Sequence, residues 1–282
     1  MTTSLITGCS TGIGYATALR LARDGHDVIA TMRTPDPCDL GAVAKDEGFS
    51  LEVRALDVTD GDAVDALIGT LLAERGGIDV LVNNAGITGG QTVEEAPFET
   101  FEAAMRTNFF GALRCTKSVL PSMRERGSGC IVSVTSQGGR IAVPTLSAYS
   151  ASKFALEAVM EVLASEVAAF GIRVKIIEPG AILTPMVNKN AAPVMDGPYA
   201  QVYNRFLQLA FHDFGRGSTP DVVADCIAEA IADPTRLRWP VGQGAERNLA
   251  TRASMSDEDT VAMWNAPDDD TFLKTILGDE AP

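Results

Sequence analysis

Tyr149 and Lys153 stand four residues apart at the start of a helix-forming run, a spacing that puts both side chains on one helix face, one turn apart. A phenol ionises near pH ~10 and is a poor base at neutrality. An ammonium held beside it favours the phenolate, so the pair suits proton transfer to a carbonyl oxygen or from an alcohol. Taken alone, a Tyr and a Lys at this spacing also describe an ordinary surface helix. Ser136 lies thirteen residues before Tyr149, just past the β-branched run Ile131–Val134. A hydroxyl at the carboxyl end of a strand can hold a substrate oxygen against the phenol. Ser133 and Ser150 compete for that role on sequence alone.

A second cluster suits an anion. Ser4-Leu5-Ile6-Thr7 runs into Gly8-Cys9-Ser10-Thr11-Gly12-Ile13-Gly14, and a helix-forming run follows from Tyr15 to Arg23. Glycines serve where a turn requires positive φ or where backbone must come close to a phosphate. The free N–H groups of the following helix start attract the anion. The spacing G-x-x-x-G-x-G differs from the common dinucleotide fingerprint G-x-G-x-x-G; its place between a first strand and a first helix is what marks it as a pyrophosphate loop. The same residues spell Gly8-x-Ser10-x-Gly12, the pattern of a hydrolase nucleophile elbow. Only seven residues precede Gly8, too few for the strands that lead into such an elbow. The histidine would have to be His212, in an expected loop with no assignable acid.

These groups need a frame. Short apolar runs at Leu5-Ile6, Asp27–Ala30, Leu51–Val53, Asp79–Val82, Cys130–Val134 and Val174–Ile177 alternate with amphipathic stretches such as Ala63, Leu67, Ile68, Leu71 and Leu72. Six buried strands alternating with helices predict an α/β fold with a doubly wound parallel sheet and ligands at the carboxyl ends of the strands. Beyond Gly180 the texture changes. Residues 185–218 carry Met186, Met195, Tyr199, Tyr203, Phe206, Phe211 and Phe214 with little strand character, and are expected to form a substrate lid. A helix over 220–232 and a short strand near Trp239-Pro240-Val241 follow. The expected domain is 1–244, with an acidic extension over 245–282. That extension holds nine acidic and three basic residues. Its runs Asp257-Glu258-Asp259 and Asp268-Asp269-Asp270 read as solvated surface.

Composition narrows the function classes. The 282 residues are 46% hydrophobic and 21% charged, which suits a globular chain with a sizeable core. A net charge of −14 repels phosphate backbones and anionic bilayers, so no nucleic-acid or membrane partner is expected. Five cysteines without a CxxC pair argue for free thiols in a reducing compartment, and two histidines leave little room for metal chemistry. No apolar run approaches the ~20 residues of a membrane span. The opening MTTSLITG has no signal-peptide character. The expectation is a cytoplasmic protein without a metal.

Read in order, Thr7-Gly8-x-x-x-Gly12-Ile13-Gly14, Leu56-Asp57-Val58, Asn83-Asn84-Ala85-Gly86, Asn108, Ser136, Tyr149-x-x-x-Lys153 and Pro179-Gly180 resemble the short-chain dehydrogenase/reductase family, in its single-domain branch. The resemblance covers roughly residues 3–190, and the helix–strand finish extends it to about 242. Ser133-Val134-Thr135-Ser136-x-x-Gly139-Arg140, with Ala30-Thr31-Met32-Arg33, is most similar to the 17β-hydroxysteroid and retinol dehydrogenase group. The resemblance implies a Rossmann-type fold and reversible hydride transfer between a nicotinamide and a secondary alcohol or ketone. It implies that Ser136 holds the substrate oxygen, that Tyr149 is the acid/base and that Lys153 is its cation. An asparagine inside a helix such as Phe98–Arg124 commonly faces solvent. The resemblance instead makes Asn108 distort that helix and hold a water that links Lys153 to bulk solvent. It puts Gly8, Ser10, Thr11, Gly12, Ile13 and Gly14 at the pyrophosphate, Asp57 and Val58 at the adenine, and Asn84, Ala85 and Gly86 at the adenosine ribose. Pro179, Gly180 and Ile182 then line the nicotinamide, with Thr184 on its carboxamide.

The choice of nicotinamide cofactor turns on the end of the second strand, where NAD-preferring sites carry an acid for the ribose 2′-hydroxyl. Met32 stands there, followed by Arg33. A guanidinium grips a 2′-phosphate bidentately, so NADP(H) is expected, with NAD(H) as the alternative. The aromatic and methionine content of the lid fits an apolar small-molecule substrate, cyclic or aromatic, though it fits plain core cover equally well. A catalytically silent cofactor-binding sensor or scaffold is the rival function; intact Asn108, Ser136, Tyr149 and Lys153 argue against it. The segments 98–124 and 149–169 are long enough to pair across a two-fold axis in a homodimer or homotetramer.

Overall fold

Leu5 and Ile6 are neighbours in sequence and both fully buried, yet they belong to different cores. Successive residues of a strand point to opposite faces, so a sheet covered on both sides needs apolar residues at consecutive positions. The same alternation sends Val28 and Ala30 to one core and Ile29 to the other, and likewise separates Val80 and Val82 from Leu81. The computed structural model describes residues 1–186 and 196–278. Its strands are β1 (Thr3–Thr7), β2 (Asp27–Met32), β3 (Glu52–Ala55), β4 (Val80–Asn83), β5 (Gly129–Val134), β6 (Ile172–Pro179) and β7 (Arg238–Val241). They form one parallel sheet in the order β3-β2-β1-β4-β5-β6-β7. All the expected strands are present. Strand order reverses between β1 and β4, which opens a crevice at their carboxyl ends.

The helices are α1 (Gly12–Arg23), α2 (Leu40–Asp46), α3 (Gly61–Arg75), α4 (Phe98–Ala104), α5 (Ala112–Arg126), α6 (Ser147–Val167), α7 (Ala200–Gly215), α8 (Pro220–Ala232), α9 (Ala245–Ala253), α10 (Asp257–Trp264) and α11 (Asp269–Leu277). Leu19 and Leu21 of α1, Leu40 of α2 and Ile227 of α8 join one core. Ile68 of α3, Val119 of α5 and Leu156 of α6 join the other. The expected helix over 98–124 is not uniform: a π-helical turn, Met105–Gly111, separates α4 from α5. Among the described residues no helix is long and apolar enough to cross a membrane, and no group of His, Cys, Asp or Glu side chains is arranged to hold a metal. All five cysteines are free.

The loop expected around His212 needs correction. The segment 185–218 contains the four-turn helix α7, and His212 lies on it beside an acid: its Nδ1 is 3.0 Å from Asp213 Oδ1. Met195, and with it residues 187–195 of the expected lid, lies outside the described residues. The acidic runs of the extension lie at the surface, with Asp257, Glu258, Asp259, Asp268 and Asp270 exposed and Asp269 half-buried, yet Asp259, Asp268 and Asp269 also make structural contacts. Asp268 caps α11 through the Thr271 N–H, and Ser256 and Asp259 form a capping box on α10. Asp269 accepts from Asn204, Arg205 and Gln208 of α7. Arg205 is fully buried; it donates to the Trp264 and Ala266 carbonyls and stacks over the Phe272 ring at 5.2 Å. Such a guanidinium is tolerated because every face has a partner. Met263, Ala266 and Phe272 close a small third core against Leu209.

Phe272→Ala should therefore cost about 3–5 kcal/mol of local stability. Hydrogen exchange should lose protection over 245–278 while β1 and β5 keep theirs. Protection lost equally across the sheet would show that the tail is not a separable layer.

Candidate active site

The loop between β1 and α1 is shaped by crowding. Gly8 (φ +75°) leaves 2.8 Å between an added Cβ and the Ala85 Cα, and a Cβ on Gly14 would lie 2.4 Å from Asn84 Nδ2 and 2.5 Å from the Gly8 carbonyl oxygen. No side chain fits at either place. Asn84 Nδ2 donates to the carbonyls of Thr7 (2.9 Å) and Gly8 (3.1 Å), and Thr7 Oγ1 accepts from the N–H groups of Asn84 and Ala85 (3.0 Å each). Asn84 and Ala85 thus brace the loop from β4, and Thr7, which opens the motif, is their buttress. Gly12 (φ +65°) starts α1 directly beneath Thr184, whose Cγ2 would lie 3.2 Å from an added Cβ. Thr11, exposed like Ser10, caps the helix without a side-chain hydrogen bond, so the N–H groups of the first turn face outward for an anion. A bare glycine cradle with an uncapped helix start fits a pyrophosphate. No hydrogen bond joins Ser10 to His212, whose Nε2 is buried without a partner, and the hydrolase geometry is absent.

Arg33 is exposed where β2 ends, and its charge acts on Asp57 beyond β3. Asp57 accepts from the N–H and hydroxyl of Thr59, and those bonds hold its carboxyl below the usual range. Val58 is buried against Gly111, where a Cβ would come within 2.6 Å of Val58 Cγ2. This contact ties the π-helical turn to the loop after β3. Asn108 is buried on that turn, with Nδ2 donating to the Ile87 carbonyl and Ser152 Oγ (2.9 Å each) and Oδ1 accepting from the Ile87 N–H (2.7 Å). Gly86 sits between Asn108 and Lys153: a Cβ there would lie 3.3 Å from Asn108 Oδ1 and 3.7 Å from Lys153 Nζ.

Ser136, Tyr149 and Lys153 line one cavity with Ile13, Asn84 and Gly86 on one side and Pro179, Gly180, Ile182 and Thr184 on another. Ser136 Oγ accepts from the Gly138 N–H at 3.0 Å and donates to the Pro179 carbonyl at 3.5 Å. Of the competing serines, Ser133 receives Asn83 Nδ2 inside the sheet and Ser150 Oγ is buried without a partner. Neither borders the cavity. Lys153 Nζ donates to the Val134 carbonyl at 2.9 Å, 5.7 Å from the Tyr149 ring centre. The expected acidification of the phenol is not what this pocket produces. Burial pushes Tyr149 up, opposed by Ser136, and burial pushes Lys153 down to about 8, opposed by Glu157. The i, i+4 spacing fixes proximity, but enclosure penalises both charged forms.

Beyond Ser136, Tyr149 and Lys153 the cavity is walled by Phe206, Leu209 and Phe214 of α7 and by Met255, Met263 and Trp264 of the tail. One polar strip interrupts this wall. Asn248 Nδ2 donates to Gln137 Oε1 and Asp213 Oδ2, and Arg247 pairs with Asp213 at 2.7 Å. The sequence showed neither the tail nor Gln137 as part of the site. The α7 face did leave a signal, since Tyr203, Phe206, Leu209 and Asp213 recur at helical spacing.

A family model described as short chain dehydrogenase matches residues 2–194. Retinol dehydrogenase 8 of Bos taurus is 36% identical over 260 residues, covering 84% of this chain and 80% of that protein. A solved short-chain dehydrogenase from Streptomyces avermitilis is similar with a TM-score of 0.79 at 35% identity, covering 93% of this chain and 97% of that one. A gluconate 5-dehydrogenase from Burkholderia cenocepacia, solved with NADP and tartrate, gives 0.68 at 28% identity, covering 82% and 86%. The chain therefore belongs to the short-chain dehydrogenase/reductase family and is an oxidoreductase acting on CH–OH groups.

Proposed function

We propose that this enzyme interconverts a secondary alcohol and a ketone on an apolar small molecule with NADP(H), using Tyr149 as acid and base. The observation that carries the proposal is the single cavity in which Ser136, Tyr149 and Lys153 stand between a glycine phosphate cradle and an apolar wall. When bound, the cofactor supplies or accepts the hydride at the substrate carbon. Gly8, Ser10, Thr11, Gly12, Ile13 and Gly14 hold its pyrophosphate; Asn84, Ala85 and Gly86 take the adenosine ribose, and Asp57 and Val58 the adenine. Pro179, Gly180, Ile182 and Thr184 take the nicotinamide end. Ser136 aligns the carbonyl oxygen. Tyr149 Oη gives it a proton in reduction and removes one from the alcohol in oxidation. The phenolate is favoured by the Lys153 ammonium and by the positive charge of the oxidised cofactor, both working against burial. Lys153 recovers its proton through a water held in the gap that Gly86 leaves beside Asn108.

Arg33 carries the cofactor preference, because its guanidinium is exposed at the end of β2 and suits a 2′-phosphate. The domain of 1–244 and its extension act together, the extension completing the wall around the substrate. Phe154 and Val162 of α6 and Phe110 beside α5 leave large apolar side chains exposed, and this face pairs with a second copy.

Following NADPH oxidation with a panel of apolar ketones, Tyr149→Phe should lose about 10²–10⁴-fold in kcat, and Lys153→Met should fall comparably. Full turnover by either variant would remove the proton-transfer assignment. Arg33→Asp should cost NADPH affinity ~1.5–3 kcal/mol and leave NADH nearly unchanged; equal losses for both cofactors would overturn the preference.

A further inference from the structure

Behind the cavity lies a group of ionisable side chains that the proton-transfer scheme does not use. Glu157 follows Lys153 by one turn of α6 and is 4% exposed, and Glu178 of β6 is fully buried. Glu157 Oε1 accepts from Thr135 Oγ1 at 2.6 Å, and its Oε2 from Arg238 Nε of β7 at 3.2 Å. Arg238 also reaches Glu161 (2.7 Å) and Glu178 (3.4 Å), and Arg140 reaches Glu178 (3.4 Å). Glu157 and Glu178 are buried while their arginine partners are partly exposed; carboxylates taken out of water for such pairs seldom add stability over apolar packing, so their place in the fold asks for another reason. Two contacts supply it. Thr135 stands between Val134, whose carbonyl holds Lys153, and Ser136. A Cβ on Gly139 would lie 3.0 Å from Glu157 Cγ and 3.1 Å from the Lys153 carbonyl oxygen, so the turn 137–139 that braces Ser136 rests directly on the glutamate.

We propose that Glu157 is a positioning residue for the proton transfer: through Thr135 it fixes the Ser136 turn, and as the buried anion one turn away it keeps Lys153 an ammonium. The inference rests on the reading of Lys153 as part of the proton-transfer pair. Lys153 faces Tyr149 and Glu157 on its own helix, the Val134 carbonyl, Thr135 and Ser136 at the end of β5, and Gly86 and Asn108 across the gap. Glu157 in turn faces Glu178 and Arg238; Arg238 also pairs with Glu161 on α6, and Arg140 with Glu178. Burial drives Lys153 down to about 8 and Glu157 works against it. Burial pushes the Glu157 carboxyl up; Thr135 and Arg238 pull it back, and Glu178 adds to burial. An ammonium persists below its pKa, so removing the anion makes Lys153 lose its proton at lower pH.

Glu157→Gln keeps the side-chain shape and removes the charge. The alkaline fall of kcat should then move to lower pH by about one pH unit, a tenfold change in proton affinity, with KM little affected. Isotope-labelled lysine NMR of the protein without cofactor should show the Lys153 resonance, one of six lysines, titrating lower by the same amount. Glu157→Asp should restore part of both. Thr135→Val, which removes the hydroxyl that bonds the carboxylate and the Ile177 carbonyl, should move both in the same direction by less, and decides the matter if Glu157→Gln does not fold. A uniform loss of kcat at every pH with the Lys153 titration unmoved overturns the proposal. Intact turnover in Lys153→Met would instead remove the reading beneath it, and this inference with it.

Discussion

A lysine ammonium enclosed beside a phenol is the constraint around which this molecule is arranged. A charge taken out of water must be hydrogen-bonded or counter-charged to be tolerated. Lys153 receives the hydrogen bond from the Val134 carbonyl, on a distant strand, and the counter-charge from Glu157, one turn along its own helix. The β5–β6 ladder ends at Val134, and it is there that the carbonyl meets the lysine. The end of the strand, the turn that carries Ser136 and the inward face of α6 are one requirement met from three sides.

The glycine loop after β1 obeys a steric constraint instead. Gly8 and Gly14 are pressed against Ala85 and Asn84 so closely that a methyl group would force backbone apart. The phosphate loop is therefore set by β4 as much as by its own glycines. The π-helical turn belongs to the same assembly: the wider turn brings the Asn108 amide onto the Ile87 backbone and leaves Gly111 flat against Val58. One irregularity in a long helix thus links the end of β3, the end of β4 and the lysine.

Much of this was legible in the sequence where the signal is local. Consecutive apolar residues marked strands buried on both faces, and the order of short motifs marked the loop, the turn after β4 and the Tyr–Lys pair. What was illegible depends on partners far along the chain. Asp269 looks like a solvated acid until Arg205, 64 positions earlier, is found beside it. Glu157 looks like a helix-surface glutamate until Thr135 and Arg238 enclose it. The balance of charge on Tyr149 could not be read from spacing, because spacing gives distance and not dielectric. The helix α7 was the avoidable miss, since its aromatic residues recur at helical intervals within a segment judged by its glycines and prolines.

The cavity wall built by α7 and the tail has an evolutionary corollary. Phe206, Leu209, Met255, Met263 and Trp264 all come after residue 194, where the match to the shared family pattern stops, whereas Ser136, Tyr149 and Lys153 come before it. Ile141, Val143 and Leu146 complete the wall from the earlier stretch. Most of the enclosure is thus encoded apart from the polar cluster it surrounds, so substitutions late in the chain can reshape what the cavity admits without touching that cluster.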